Sequence, residues 1–177
     1  MRPVYRLVLI ALLSALLLSV QVGLAVIPNV ELVSLLILIF AISLPLIDSL
    51  TIVTIFTTLQ AITWGLGDWV IGYYWIWTLW VLVVYLFRHI NKDHADRWAI
   101  LGGLWGLLFG ALFALNHGIL YGFNFSIAYW MRGILFDIIH MISNYILILL
   151  LFNPLYAIFK RMIRSKENSY ESNHKNR

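Results

Sequence analysis

Apolar residues fill long continuous runs at about 5–27, 30–47, 49–63, 70–87, 98–115 and 131–152, with polar residues gathered in the short stretches between them. A hydrocarbon core about 30 Å thick needs about 20 apolar residues per helical span, so the pattern predicts six transmembrane helices. The third run is short and almost merges with the second at Pro45–Asp48, so counts of five or seven spans fit the same pattern. The first run follows Arg2 and Arg6. It is longer than the roughly 7–15 residues of a signal-peptide core, and "VGLAVIP" is a poor cleavage site, so a retained helix is expected.

Composition fixes the solvent. Of 177 residues, 62% are hydrophobic and 11% charged, more apolar side chain than a water-soluble domain of this size can hide. The expected fold class is an all-α membrane protein, a six-helix bundle over residues 1–163, followed by a polar tail over 164–177 that is expected to be disordered. Without cysteine there is no disulfide framework, thiol nucleophile or thiolate metal site.

Charge sets the expected orientation. Eleven of the twelve Lys and Arg residues fall at the termini or in the 88–97 loop, which places both termini and that loop on the cytoplasmic side. The net charge of +4 therefore describes topology and not nucleic-acid binding.

The opposite side carries "IPNVEL", the stretch "WGLGDWVIGYYWIW" and a long segment read as a loop, 116–131. Belts of Trp and Tyr at headgroup level are a routine explanation for such rings. A belt, however, decorates both interfaces, and the cytoplasmic flanks offer only Tyr5, Tyr85, Trp98 and Tyr156. The asymmetry favours a ring-lined external pocket. Trp69, Tyr73 and Trp77 follow at i, i+4 and i+8 and share one helix face, whereas Trp75 lies about 200° round the helix from Tyr73 and is expected to meet lipid.

Two stripes of small residues stand out. Ala11, Ala15 and Ser19 form one on helix 1, and Gly102, Gly106, Gly110 and Ala114 form another on helix 5. Such stripes let helices approach closely in lipid. The helix 5 stripe is expected to pack inside the bundle; the helix 1 stripe suits either internal packing or a partner chain.

Helix 6 holds the costliest groups. Arg132 precedes Asp137, His140 and Asn144, which share one face. Charges at that depth face a cavity or a partner, so the stripe is either an Asp–His contact that holds the helix in place or part of a site. Acid–base chemistry is conceivable for such a pair, but there is no HExxH, no GxSxG turn and no GxxxxGK[ST] phosphate loop. No catalytic residue, bound metal or cofactor of its own is expected.

The length, the six-helix pattern, "ALLSA" in helix 1, the "IPNVELV" turn and the basic loop before helix 5 together resemble the substrate-binding S components of energy-coupling factor (ECF) vitamin transporters. The resemblance covers about residues 5–163. It implies a prokaryotic cell-membrane protein that captures a vitamin outside and delivers it inward with a transmembrane T component and two cytoplasmic ATPases, which would use the ATP. In that family the AxxxA motif, here Ala11 and Ala15, contacts the T component, and Ser19 extends the same stripe. The ligand lies externally among helices 4 to 6, closed by the loop between helices 1 and 2. The implied ligand-binding residues are Asn29, Trp69, Tyr73, Trp77, Asn116, His117, Tyr121, Tyr129, Arg132, Asp137 and His140, with Tyr74, Phe123 and Trp130 completing the walls and Pro28 helping to gate. Arg132 is the only external cation and the carboxylates are dispersed, which suits a large neutral ligand rich in amides and rings. Cobalamin is the family substrate that best matches; folate, pantothenate or a pyridoxine-like vitamin are alternatives. A Trp-rich membrane sensor, a tetrapyrrole-binding protein or an intramembrane enzyme are the competing classes.

Overall fold

The computed structural model describes residues 3–27 and 30–163 with their side chains, and helical backbone on to Lys175. Pro28 and Asn29, read above as gate and ligand contact, lie outside the described residues, as do the side chains of the polar tail. The helices are α1 (Pro3–Leu24), α2 (Val33–Ser43), α3 (Leu46–Trp64), α4 (Asp68–Asn91), α5 (Ala95–Tyr121) and α6 (Phe123–Lys175). Five are long and apolar enough to cross a membrane, α6 over Phe123–Ile163. The chain is an all-α, multi-pass membrane protein.

The short member is the second helix, not the third as the sequence suggests. Pro45 has no N–H to donate and forces its predecessor out of the helical region, and Leu44 is extended with φ −111° and ψ 161°. That leaves α2 with 11 residues, about 16 Å of rise and half a hydrocarbon core. Past the proline, α3 runs for 19 residues.

α2 is not among the five candidate spans, yet it sits deep in the bundle. Arg6 on α1 is paired with Asp48 in the first turn of α3, Nε donating to Oδ1 at 2.8 Å. The two N-terminal ends therefore share one end of the bundle, and α2 lies between α1 and α3 in the chain. The bundle encloses α2 almost completely: Leu35, Ile37, Leu38 and Ile39 are buried, Trp80 Nε1 donates to Ser34 O at 3.0 Å, and the Phe40 ring meets Phe159 at 5.3 Å.

α5 and α6 are antiparallel neighbours joined by Gly122 alone, whose φ of +91° is one that side-chain-bearing residues rarely adopt. The segment 116–131 is thus helical on both sides of one residue, and not a long loop. It contains no proline and is rich in apolar residues, so nothing in it stops a helix except this turn. The glycine stripe faces α6, as its spacing predicts. A Cβ on Gly106 would stand 2.7 Å from the His140 carbonyl oxygen and 2.8 Å from the carbonyl carbon, so the two backbones touch. Gly102 lies against Ile148 and Gly110 against the Asp137 carboxyl.

On α1 the buried residues are Leu9, Ile10, Leu13, Ser14 and Leu17. Ser14 Oγ bonds the Ile52 carbonyl at 3.2 Å across to α3. Ala11, Ala15 and Ser19 lie on the exposed side, so this stripe is not used for packing within the chain.

Because backbone cannot yield as a side chain can, Gly106→Ala is expected to cost about 1–3 kcal/mol of stability. Gly23, with nothing within 4 Å of its added Cβ, is the control: Gly23→Ala is expected to stabilise by up to about 1 kcal/mol. Unfolding of the purified variants followed by tryptophan fluorescence reads both signs.

Candidate ligand-binding site

α4 begins at Asp68, just past Gly67, and presents Trp69, Tyr73 and Trp77 along one face. Successive rings contact edge to face at 5.3 and 5.8 Å, a favourable arrangement for aromatic quadrupoles. On α5, Phe109 and Phe113 are also one turn apart and complete the array: Phe113 lies 5.3 Å from Tyr73, and Phe109 lies 5.3 Å from Trp77.

Between this array and α6 lies an open cavity of about 800 Å³, lined by Trp69, Tyr73, Phe109, Phe113, Phe125 and Tyr129 together with Arg132 and Asp137. Asp137 is 6% exposed. Its Oδ1 accepts the Gly110 N–H at 3.0 Å, while Oδ2 has no partner in the protein.

A smaller chamber of about 230 Å³ lies on the other side of Tyr73 and Phe109, which line both spaces. Its walls include Gln21 from α1, Ile27, Val30 and Glu31 from the following segment, Trp77 from α4 and His140 from α6. Glu31 Oε1 lies 3.2 Å from His140 Nε2, with side-chain exposures of 12% and 6%. Glu31 Oε2 accepts the Ser34 N–H at 2.8 Å, so one carboxyl both satisfies an open donor in the first turn of α2 and ties that helix to α6.

A third group surrounds Asp68. The Tyr121 hydroxyl donates to Asp68 Oδ2 at 3.0 Å, His117 Nδ1 lies 3.5 Å from the same oxygen, and Asn116 Nδ2 donates to the Asp68 carbonyl at 3.4 Å. His117 also contacts the Tyr129 ring at 4.4 Å. This network fixes the start of α4 to the end of α5.

The structure thus gathers Trp69, Tyr73, Tyr129, Arg132 and Asp137 around the larger cavity, puts Trp77 and His140 on the smaller chamber, and collects Asn116, His117 and Tyr121 around Asp68. Asp137 and His140 have different hydrogen-bond partners, so of the two alternatives above the mutual Asp–His contact is replaced by two separate ties. Trp75 is not a lipid-facing ring: its Nε1 donates to Asn116 Oδ1 at 3.3 Å. Tyr74, read as a pocket wall, bonds Thr58 on α3 at 2.8 Å. Phe109, Phe113 and Glu31 were not among the site residues the sequence suggests. The four-residue spacing of the two phenylalanines on the glycine face was the available signal for the rings; nothing local brings Glu31 to a residue 109 positions away. Among the described residues no cluster of three or more His, Cys, Asp or Glu suits a metal.

Comparisons with protein-family models, curated proteins and solved structures yield no match. The reading of the site therefore rests on its own geometry.

Removing one member of a buried hydrogen-bonded pair leaves the other unsatisfied and typically costs about 1–3 kcal/mol. Glu31→Met and His140→Leu should each destabilise strongly, while the double replacement should cost less than the sum by about 1–3 kcal/mol. Strict additivity in denaturant unfolding would show that the contact contributes nothing to holding the segment before α2 against α6.

Proposed function

We propose that this protein is a substrate-capturing membrane subunit of the ECF S-component type, binding a vitamin in the cavity between α4, α5 and α6. The cavity carries the reading. Its volume of about 800 Å³ falls within the roughly 300–1,000 Å³ common for small-molecule sites. Its lining of rings with one guanidinium and one carboxyl suits a largely neutral, ring-bearing molecule. Cobalamin remains the leading candidate; it would fill the cavity and extend beyond its mouth. In this reading the ring-lined end faces outward and the basic flanks face the cytoplasm.

The second support is the exposed small-residue side of α1, free for a T component. Two ATPase partners would supply the energy, since the sequence has no phosphate-binding loop of its own. An enzymatic role has no comparable support.

Mass spectrometry of small molecules retained by the purified protein tests the reading directly. Recovery of a vitamin supports it; recovery of a haem or other porphyrin would favour a tetrapyrrole-binding protein instead. For an identified ligand, Trp69→Ala and Tyr129→Ala should each weaken equilibrium binding several-fold or more, as stacking rings contribute about 0.5–1.5 kcal/mol beyond burial. Tyr74→Ala, on the α3 side, should leave affinity unchanged. Ala15→Leu should leave binding intact and abolish ATP-driven uptake; normal uptake would remove α1 from the partner interface.

A further inference from the structure

Between Phe123 and Lys160 the only charged residues of α6 are Arg132 and Asp137, and the protein treats them differently. We infer that the molecule held between α4, α5 and α6 carries one oxyanion, a carboxylate or a phosphate, seated on Arg132 while its rings meet the rings of the cavity. The inference rests on the ligand-binding reading above and names the one charged group of an otherwise largely neutral ligand.

Helical spacing puts Arg132 on the cavity face. Phe125, Tyr129, Arg132, Gly133 and Phe136 all line the cavity, and positions three or four apart fall on one side of a helix. Room is left beside the arginine, because a Cβ added to Gly133 would meet nothing within 4 Å.

Arginines elsewhere in the bundle are engaged by the protein. Arg6 holds Asp48, Arg97 donates to the Ile90 carbonyl at 2.9 Å, and Arg88 lies 3.6 Å from the centre of the Tyr85 ring. Among the described residues Arg132 has no hydrogen bond, ion pair or ring contact of this kind. Asp137 does not neutralise it. That residue lies about 140° round the helix and about 7.5 Å further along it, is 6% exposed, and accepts the Gly110 N–H.

A charged group in a membrane-spanning helix turns to a cavity or a partner. A guanidinium offers donors alone, in a planar fork that fits two oxygens of a carboxylate or phosphate. An ammonium ligand would meet it as a like charge. A neutral amide brings a single acceptor oxygen and leaves the positive charge uncompensated in a ring-lined space. An oxyanion answers both the charge and the fork, and the cavity of about 800 Å³ leaves the ring wall for the body of the molecule.

The test is equilibrium dialysis of the full chain in detergent, without added lipid, against 2-naphthylacetate, 2-naphthylacetamide and 2-naphthylethylammonium, which share a ring and differ in charge. Naphthylacetate is expected to bind most tightly. Arg132→Gln should weaken it about tenfold or more while leaving naphthylacetamide within about twofold, and Arg132→Lys, which keeps the charge and loses the fork, should fall between. Equal or tighter binding of the amide or the ammonium, an unchanged naphthylacetate affinity in Arg132→Gln, or loss of all probes alike in both variants would overturn the assignment. So would displacement of naphthylacetate by phosphatidylglycerol added to the micelles, which would give Arg132 to a lipid headgroup phosphate. If the purified protein retains a vitamin without a negative group, and Arg132→Gln retains it equally, the oxyanion inference falls and the ligand-binding reading stands. If naphthylacetate binds through Arg132 but no vitamin is retained or transported, the reverse holds.

Discussion

The contact on which the rest depends is the meeting of two backbones at Gly106 and His140. In lipid there is no hydrophobic drive between helices, so close packing must supply the association. A side chain at position 106 would stand 2.7 Å from the His140 carbonyl oxygen and would force α5 and α6 apart. Two buried polar groups of α6 are registered by that crossing. One turn before His140, Asp137 meets the Gly110 N–H; His140 itself is turned toward Glu31. The glycine stripe is therefore a positioning device for the site as well as a packing device.

Close packing and open space divide along the length of the bundle. At one end Arg6 and Asp48 join α1 to α3, and the Trp98 indole closes the α4–α5 turn by donating to the Lys92 carbonyl at 2.8 Å. At the other end the rings of α4 and α5 face α6 across open space. The cavity in that position has helices α4, α5 and α6 as its walls.

Much of this was legible in the sequence, and the reasons differ by element. Run length and composition were enough for an all-helical membrane bundle, because lipid leaves few other options for satisfying backbone groups. The glycine stripe and the 69, 73, 77 face followed from helical spacing, a local property. Three features did not follow. Pro45 gave a break but not the side on which the short helix would fall, since that depends on whether residues before Val33 find helical partners. Gly122 was hidden among residues that favour helix, so a one-residue turn looked like part of a long loop. Trp75 was misplaced because angular position on a helix says which side a residue takes, not which neighbour waits there; Asn116 of α5 occupies the side assigned to lipid. The Glu31–His140 tie, joining positions 109 apart, is a tertiary fact with no local signature.

The short α2 has a consequence for how the bundle is completed. About 16 Å of helix cannot by itself cross a hydrocarbon core, so α2 depends on the protein around it. That enclosure comes from α4 and α6 as well as from α1 and α3: Trp80 donates to the Ser34 carbonyl, and His140 meets Glu31. The surroundings of α2 therefore come from helices on both sides of it in sequence. Its enclosure is complete only once a helix whose contact residue lies 109 positions after Glu31 has packed against it.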